Sequence, residues 1–235
     1  MSVRAVLVAL VLVAAGAALL ATRALTQHGT PTLFGDARVD GQIAYQVVSA
    51  FLAVGVVLLA RAMSSGGRRF LVVGELGAPA RPVGWLGISA GEPWTRVGRN
   101  FAIILTVATA AAVYFQIVST ATVQLSLGGV VGSLPIALPF AASNAAVEEA
   151  IFRLAPVEAL DGILKPGHIA ILSGVLFGVL HYFGIPGGLI GVALAGFLGW
   201  LLTKSITETR GVFWAWSLHF LQDLVIFTAV FATSR

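Results

Sequence analysis

Apolar runs of roughly twenty residues, separated by short polar joins, recur along nearly the whole chain. A helix needs about 20 apolar residues to cross the hydrocarbon core of a bilayer. Stretches 3–22, 43–59, 101–118, 134–160, 168–183, 189–203 and 212–231 reach or approach that length. Glycine and proline punctuate the later joins, at Pro166-Gly167, Pro186-Gly187-Gly188 and Gly211, where they stop or turn a helix. The pattern predicts an all-α fold: a polytopic transmembrane helical bundle of about seven spans, or seven to eight. One polar interruption, 61–100, is longer than the rest and rich in Gly and Pro. It is too short to build a core of its own, so 1–235 reads as a single integral membrane domain carrying an insert between spans two and three. Trp85 and Trp94 of that insert are expected at the membrane interface, where indoles concentrate.

Charge gives this pattern an orientation. The insert carries Arg61, Arg68, Arg69, Arg81, Arg96 and Arg99, and Lys165, Lys204 and Arg210 fall in later loops on the same side. Loops rich in Lys and Arg stay in the cytoplasm, whereas 119–133 holds no charge and is expected outside. This places the N-terminus in the cytoplasm and the C-terminus outside. The first span, with Arg4 ahead of its apolar run, also has features of a signal peptide, but the run is long for one and the chain continues as a membrane protein.

Composition agrees and removes other classes. Hydrophobic residues make up 58% of the chain and charged residues 10%, against roughly 25% charged in a soluble domain, so most of the surface must face lipid. The net charge of +4 is not arranged as a basic stripe with aromatics, and nucleic-acid binding is not expected. There are no cysteines, which excludes disulfides, thiolate metal sites and a cysteine nucleophile. The preference for Arg, Ala, Gly and Val leans towards a GC-rich bacterium and hence towards a multi-pass protein of its cell membrane.

Against this apolar background, Glu148, Glu149, Arg153, His181, His219 and Asp223 lie inside the later spans. A charge near the bilayer centre costs about 2.5–3.5 kcal/mol on insertion scales, and such residues are functional candidates by default. Residues four apart share a helix face. Glu149 can therefore pair with Arg153, while Glu148 points about 100° away and can face a cavity. Phe177 shares a face with His181, and His219 with Asp223. Three helices can thus direct a carboxylate, an imidazole, and an imidazole with a second acid at one point. A carboxylate can serve as a general base, a histidine beside it can hold a water, and a second histidine can donate to an oxyanion. Hydrolysis of an amide by an activated water needs these parts, and no Gly-x-Ser-x-Gly elbow is present. Each residue also has a structural reading: Glu149–Arg153 as an ion pair inside the bundle, His181 as a satisfied buried histidine, His219 beside Trp214 and Trp216 as an interfacial residue, and Asp223 as a proton relay. His28, His168 and Phe177 read as structural.

The order of these residues is familiar. Glu148-Glu149-Ala150-Ile151-Phe152-Arg153 reads E-E-x-x-x-R, Phe177 to His181 reads F-x-x-x-H, and His219 to Asp223 reads H-x-x-x-[ND]. Together, on successive late spans, they resemble the CPBP family of CAAX proteases and bacteriocin-processing enzymes, also called the Abi family, which includes the type II CAAX prenyl endopeptidases. The resemblance covers about 134–231, read as the catalytic core helices. Gly84-Trp85-Leu86-Gly87-Ile88 is a softer match to a W-x-x-L-G-like loop. The resemblance implies a bundle of the glutamate intramembrane protease type. Glu148 with His181 would activate water, His219 and Asp223 would stabilise the oxyanion, and Glu149 and Arg153 would support the site. Two positions depart from the pattern: Leu154 stands where Gly commonly follows the arginine, and Asp223 stands where the prenyl endopeptidases have Asn.

The expected function is therefore an intramembrane endopeptidase acting on a membrane-associated or lipidated protein. A catalytically idle scaffold of the same fold and a proton-coupled transporter are the alternatives. No inverted repeat or matched pair of broken helices supports the transporter. Glu148, His181 and His219 are the candidates should a divalent metal such as zinc take part. A glutamate-activated water needs none, and the reading leans towards no obligatory metal. The cavity is expected to open to the cytoplasmic side or laterally.

Overall fold

A computed structural model describes residues 3–28, 33–64, 69–120 and 126–233. The chain folds into α1 (Val3–His28), α2 (Ala37–Met63), α3 (Trp94–Thr120), α4 (Leu127–Glu149), α5 (Ala155–Leu160), α6 (Pro166–Leu180), α7 (Gly188–Thr209) and α8 (Phe213–Ala232). No sheet forms among the described residues; only isolated bridges occur. Among the described residues seven spans are long and apolar enough to cross a membrane, so this is a multi-pass membrane protein of the expected all-α class. The fourth span, Leu127–Leu160, joins α4 and α5.

Helix ends extend past the apolar runs because polar caps set them. Asp36 accepts the N–H of Arg38 and starts α2 at Ala37. Ser126 accepts the N–H of Gly129 at 3.0 Å and starts α4, so part of the uncharged stretch expected as an outer loop is helical. Side-chain oxygens at these positions satisfy N–H groups that the first turn leaves without partners.

Between α4 and α5 the helix widens. Over Ala150–Leu154 the N–H of Ala155 reaches back five residues to the carbonyl of Ala150. Such a turn leaves carbonyls displaced from their usual partners. One of them, that of Phe152, accepts the hydroxyl of Ser173 from α6 at 2.5 Å. The widened turn is therefore pinned to α6, the helix that carries His181.

Small residues bring α6 and α7 together. A Cβ on Gly174 would lie 2.7 Å from the Gly196 carbonyl oxygen, and one on Gly178 would lie 2.7 Å from that of Val192. Close backbone approach through small residues replaces the hydrophobic driving force that lipid cannot supply between helices. It also fixes the height of His181, which follows Gly178 by less than one turn.

The insert is part of the bundle's packing. Phe70, Ala78, Ala80 and Ile88 are buried in the main core. Trp94, expected at the interface, is 0% exposed, and its indole N–H donates to Glu208 at 2.9 Å; burying an indole requires such a partner. Trp85 is 74% exposed, its ring against Trp200 and Phe197 of α7. Lys204 pairs with Glu208 and donates to the carbonyl of Arg81 at 2.9 Å. Arg61 meets the buried Glu158 at 3.0 Å. Gly74 and Gly211 pass so closely that a Cβ on Gly74 would lie 2.7 Å from the Gly211 Cα. The Gly84–Leu86 turn of the softer motif lies in this region and lines none of the cavities around the candidate residues.

Candidate active site

Glu149 is the anchor of the site. Its Oε1 lies 2.7 Å from Nδ1 of His219 and 3.4 Å from Nε of Arg153. A carboxylate oxygen can only accept, so the His219 Nδ1–H donates to it. Arg153 is 0% exposed, and none of its nitrogens has a hydrogen-bond partner in the protein. Its guanidinium carbon sits 3.5 Å from the centre of the Phe177 ring, a cation–π contact that supplements the Glu149 ion pair. The expected Glu149–Arg153 pair is present. The bond from Glu149 to His219, seventy residues away, was not expected.

Phe177 does more than fill space. Its ring lies 4.1 Å from that of His181 and 5.6 Å from that of His219, centroid to centroid. It is the common surface on which Arg153 and both imidazoles rest.

Glu148 faces away from Glu149, as its place on the helix predicts. Its side chain is 13% exposed and its Oε2 lies 3.5 Å from Nε2 of His219. The carboxylate of Asp223 approaches the same nitrogen, Oδ1 at 3.6 Å. His219 therefore turns one nitrogen to Glu149 and the other to the gap between Glu148 and Asp223. Asp223 shares the helix face of His219 as expected, but the short bond that orients the ring comes from Glu149.

Asn144 links the two outer acids. Its Nδ2 donates to Glu148 Oε1 at 3.2 Å and to Asp223 Oδ2 at 3.0 Å. Its Oδ1 accepts from Gln46 of α2 at 3.5 Å, which turns the amide so that both N–H groups face carboxylates. Asn144 lies one turn before Glu148, so the spacing could have revealed it; the search by charge passed over a neutral amide.

His181 ends α6. Its Nδ1 lies 2.8 Å from the Phe177 carbonyl oxygen. A carbonyl only accepts, so Nδ1 carries the proton and Nε2 of the neutral ring offers a lone pair.

A cavity of about 420 Å³ is lined by Asn144, Glu148, His181 and Asp223, with Tyr45 and the apolar wall of α8. Smaller cavities adjoin it, one between α1 and α6 reaching Glu148 and His181, another beside α7 and α8 reaching His181, His219 and Asp223. Glu148 and His181 thus share one cavity, as expected. His219 does not line it: the ring is buried behind Glu148 and Asp223. The rim of the main cavity is Arg23 and Thr26 of α1, Ala37 and Arg38 of α2, and Val230 and Phe231 of α8. It therefore opens at the end of the bundle opposite the insert, where the sequence led us to expect an opening on the insert side or a lateral one. The side chain of His28 lies outside the described residues, and His168 is in the first turn of α6.

Among the described residues no group of three or more His, Asp or Glu side chains could hold a metal ion. No step is derived through a metal.

No curated protein and no solved structure shows a significant match to the chain. Residues 130–225, the stretch that holds Asn144, Glu148, Glu149, Arg153, His181, His219 and Asp223, match the family described as Type II CAAX prenyl endopeptidase Rce1-like, and in this stretch the chain is similar to that family.

Proposed function

We propose that this chain is an intramembrane endopeptidase that hydrolyses a peptide bond of a membrane-associated protein with a water activated by Glu148 and His181. The observation that carries the reading is the convergence of a carboxylate and a lone-pair imidazole nitrogen on one cavity within a membrane bundle. Glu148 Oε2 has no hydrogen-bond partner in the protein, and His181 holds its proton on the far nitrogen.

The steps follow from the atoms. A water in the cavity donates one proton to the Glu148 carboxylate and is aligned by a second hydrogen bond to His181 Nε2. Its oxygen adds to the scissile carbonyl carbon. The oxyanion that forms needs hydrogen-bond donors already in place. His219, its Nδ1–H held by Glu149, supplies such a donor from Nε2 when the ring carries both protons, and the Asn144 amide fixes Glu148 and Asp223 beside it. The C–N bond then breaks as Glu148 returns its proton to the leaving nitrogen, and the carboxylate is restored. Arg153 touches neither water nor substrate; it holds Glu149, which holds His219.

Asp223 departs from the asparagine of the prenyl endopeptidases, so the reading commits to peptide-bond hydrolysis and leaves the lipid group of the substrate open. The test compares the membrane proteomes of cells carrying the intact chain and the Glu148→Ala chain. New protein ends present only with the intact chain are the expected result. Identical sets of ends, with both chains accumulating equally, would refute the reading.

A further inference from the structure

The two ends of the bundle differ in access and in charge. The catalytic cavity is rimmed by the exposed Arg23, Ala37 and Arg38 at the end formed by the close of α1, the start of α2 and the close of α8. The opposite end is shut. There the insert is tied down through Lys204–Glu208, Trp94–Glu208 and Arg61–Glu158, and its backbone pairs with the α7–α8 turn through Glu75 N–H to Thr209 and Val212 N–H to Val72. Among the described Lys and Arg residues, Arg153 is buried in the bundle, and only Arg23 and Arg38 lie at the open end. The connection 181–187, at that same end, contains none. Every other described basic residue belongs to the closed end.

Lys and Arg within short loops and near the ends of spans mark the cytoplasmic side. We infer that the closed, basic end is cytoplasmic and that the catalytic cavity opens to the extracytoplasmic side. Its substrate is then a membrane-anchored peptide or protein whose scissile bond lies in the outer leaflet or just beyond it. This deepens, and rests on, the endopeptidase reading. A protein whose cleaved segment is displayed to the cytoplasm would meet the shut end.

The chain contains no cysteine, so single-cysteine variants report position without background. Phe34→Cys, in the loop before α2 where Phe34 is 71% exposed, and Ala37→Cys mark the open end. Ser89→Cys and Ala90→Cys, at exposed positions of the insert, mark the closed end. Intact cells lacking an outer membrane barrier are treated with a membrane-impermeant maleimide. Labelling of the first pair in intact cells, and of the second pair only after permeabilisation, is the expected result. Labelling of the insert pair from outside, or of the open-end pair only after permeabilisation, would overturn the inference. The Glu148-dependent protein ends should map to extracytoplasmic segments of their parent proteins, and ends confined to cytoplasmic segments would also overturn it. The expected labelling with no Glu148-dependent ends would support the access side and count against proteolysis itself.

Discussion

Glu148 and Glu149 are neighbours in sequence and chemically identical, so replacing each by Gln is a controlled comparison. Glu149→Gln removes the charge that faces Arg153 at 3.4 Å and accepts from His219 at 2.7 Å. The guanidinium stays 0% exposed, left with the Phe177 ring alone. Stranding one member of a buried pair costs about 3–5 kcal/mol. For a chain of this size each kcal/mol moves the melting temperature by about 2–4 °C, so the expected fall is about 6–20 °C. Glu148→Gln is different. An amide oxygen can keep the Asn144 bond at 3.2 Å, no cation is left without its only partner, and the side chain borders a cavity. The loss there is one hydrogen-bonding arrangement, about 0.5–1.5 kcal/mol. Thermal unfolding of both variants in one detergent, together with cleavage of a substrate identified from the proteome comparison, checks this. Both variants should lose cleavage, and only Glu149→Gln should lose stability heavily. Equal melting temperatures would refute the division of roles, because Glu149 would then not be sustaining the Arg153 charge.

Other outcomes follow from the same contacts. Asp223→Asn should retain substantial cleavage, since an amide oxygen can accept from Asn144 and the new N–H groups face the region of the oxyanion; Asp223→Ala should lose most of it, and a dead Asn variant would show that the negative charge itself is required. Asn144→Ala should reduce kcat with little change in melting temperature, whereas Asn144→Asp places a third carboxylate against Glu148 and Asp223 and should abolish cleavage; equal activity of the two would argue against the amide as the link. Gly178→Ala pushes a Cβ to 2.7 Å from the Val192 carbonyl and should cost about 1–3 kcal/mol, read as a lower melting temperature. Gly167→Ala meets nothing within 4 Å and should be neutral or stabilising by up to about 1 kcal/mol in the same measurement.

The helices were legible because a bilayer fixes the length of an apolar run. Their ends were less so, because Asp36 and Ser126 set them by hydrogen bonding and lie outside the runs. Trp94 was misplaced for a related reason. An indole near the end of a span fits the interface on pattern alone, and only the fold reveals that Glu208, more than a hundred residues later, accepts its N–H. The mouth of the cavity was misplaced because sequence position along the fourth span says how far Glu148 is from each end, but not which end the neighbouring helices leave open.

Within the site, spacing identified the residues but not all of their partners. One turn of helix separates His219 from Asp223, and spacing placed the two on one face without naming the acid that orients the ring. The orienting oxygen belongs to Glu149 on another helix, and no periodicity on either helix encodes which acid an imidazole will meet. The widened turn at 150–154 was equally hidden. Nothing in Ala-Ile-Phe-Arg-Leu announces it, yet one extra residue in a turn rotates everything after it by about 100° relative to a regular helix. That rotation is shared by Arg153 and the tie from Phe152 to Ser173, so the segment that holds the permanent cation is registered against α6 and not merely continued from α4. Two adjacent glutamates can then take different surroundings from one helix: Glu149 turns inward to a fixed cation and a fixed imidazole, and Glu148, about 100° around, borders the cavity.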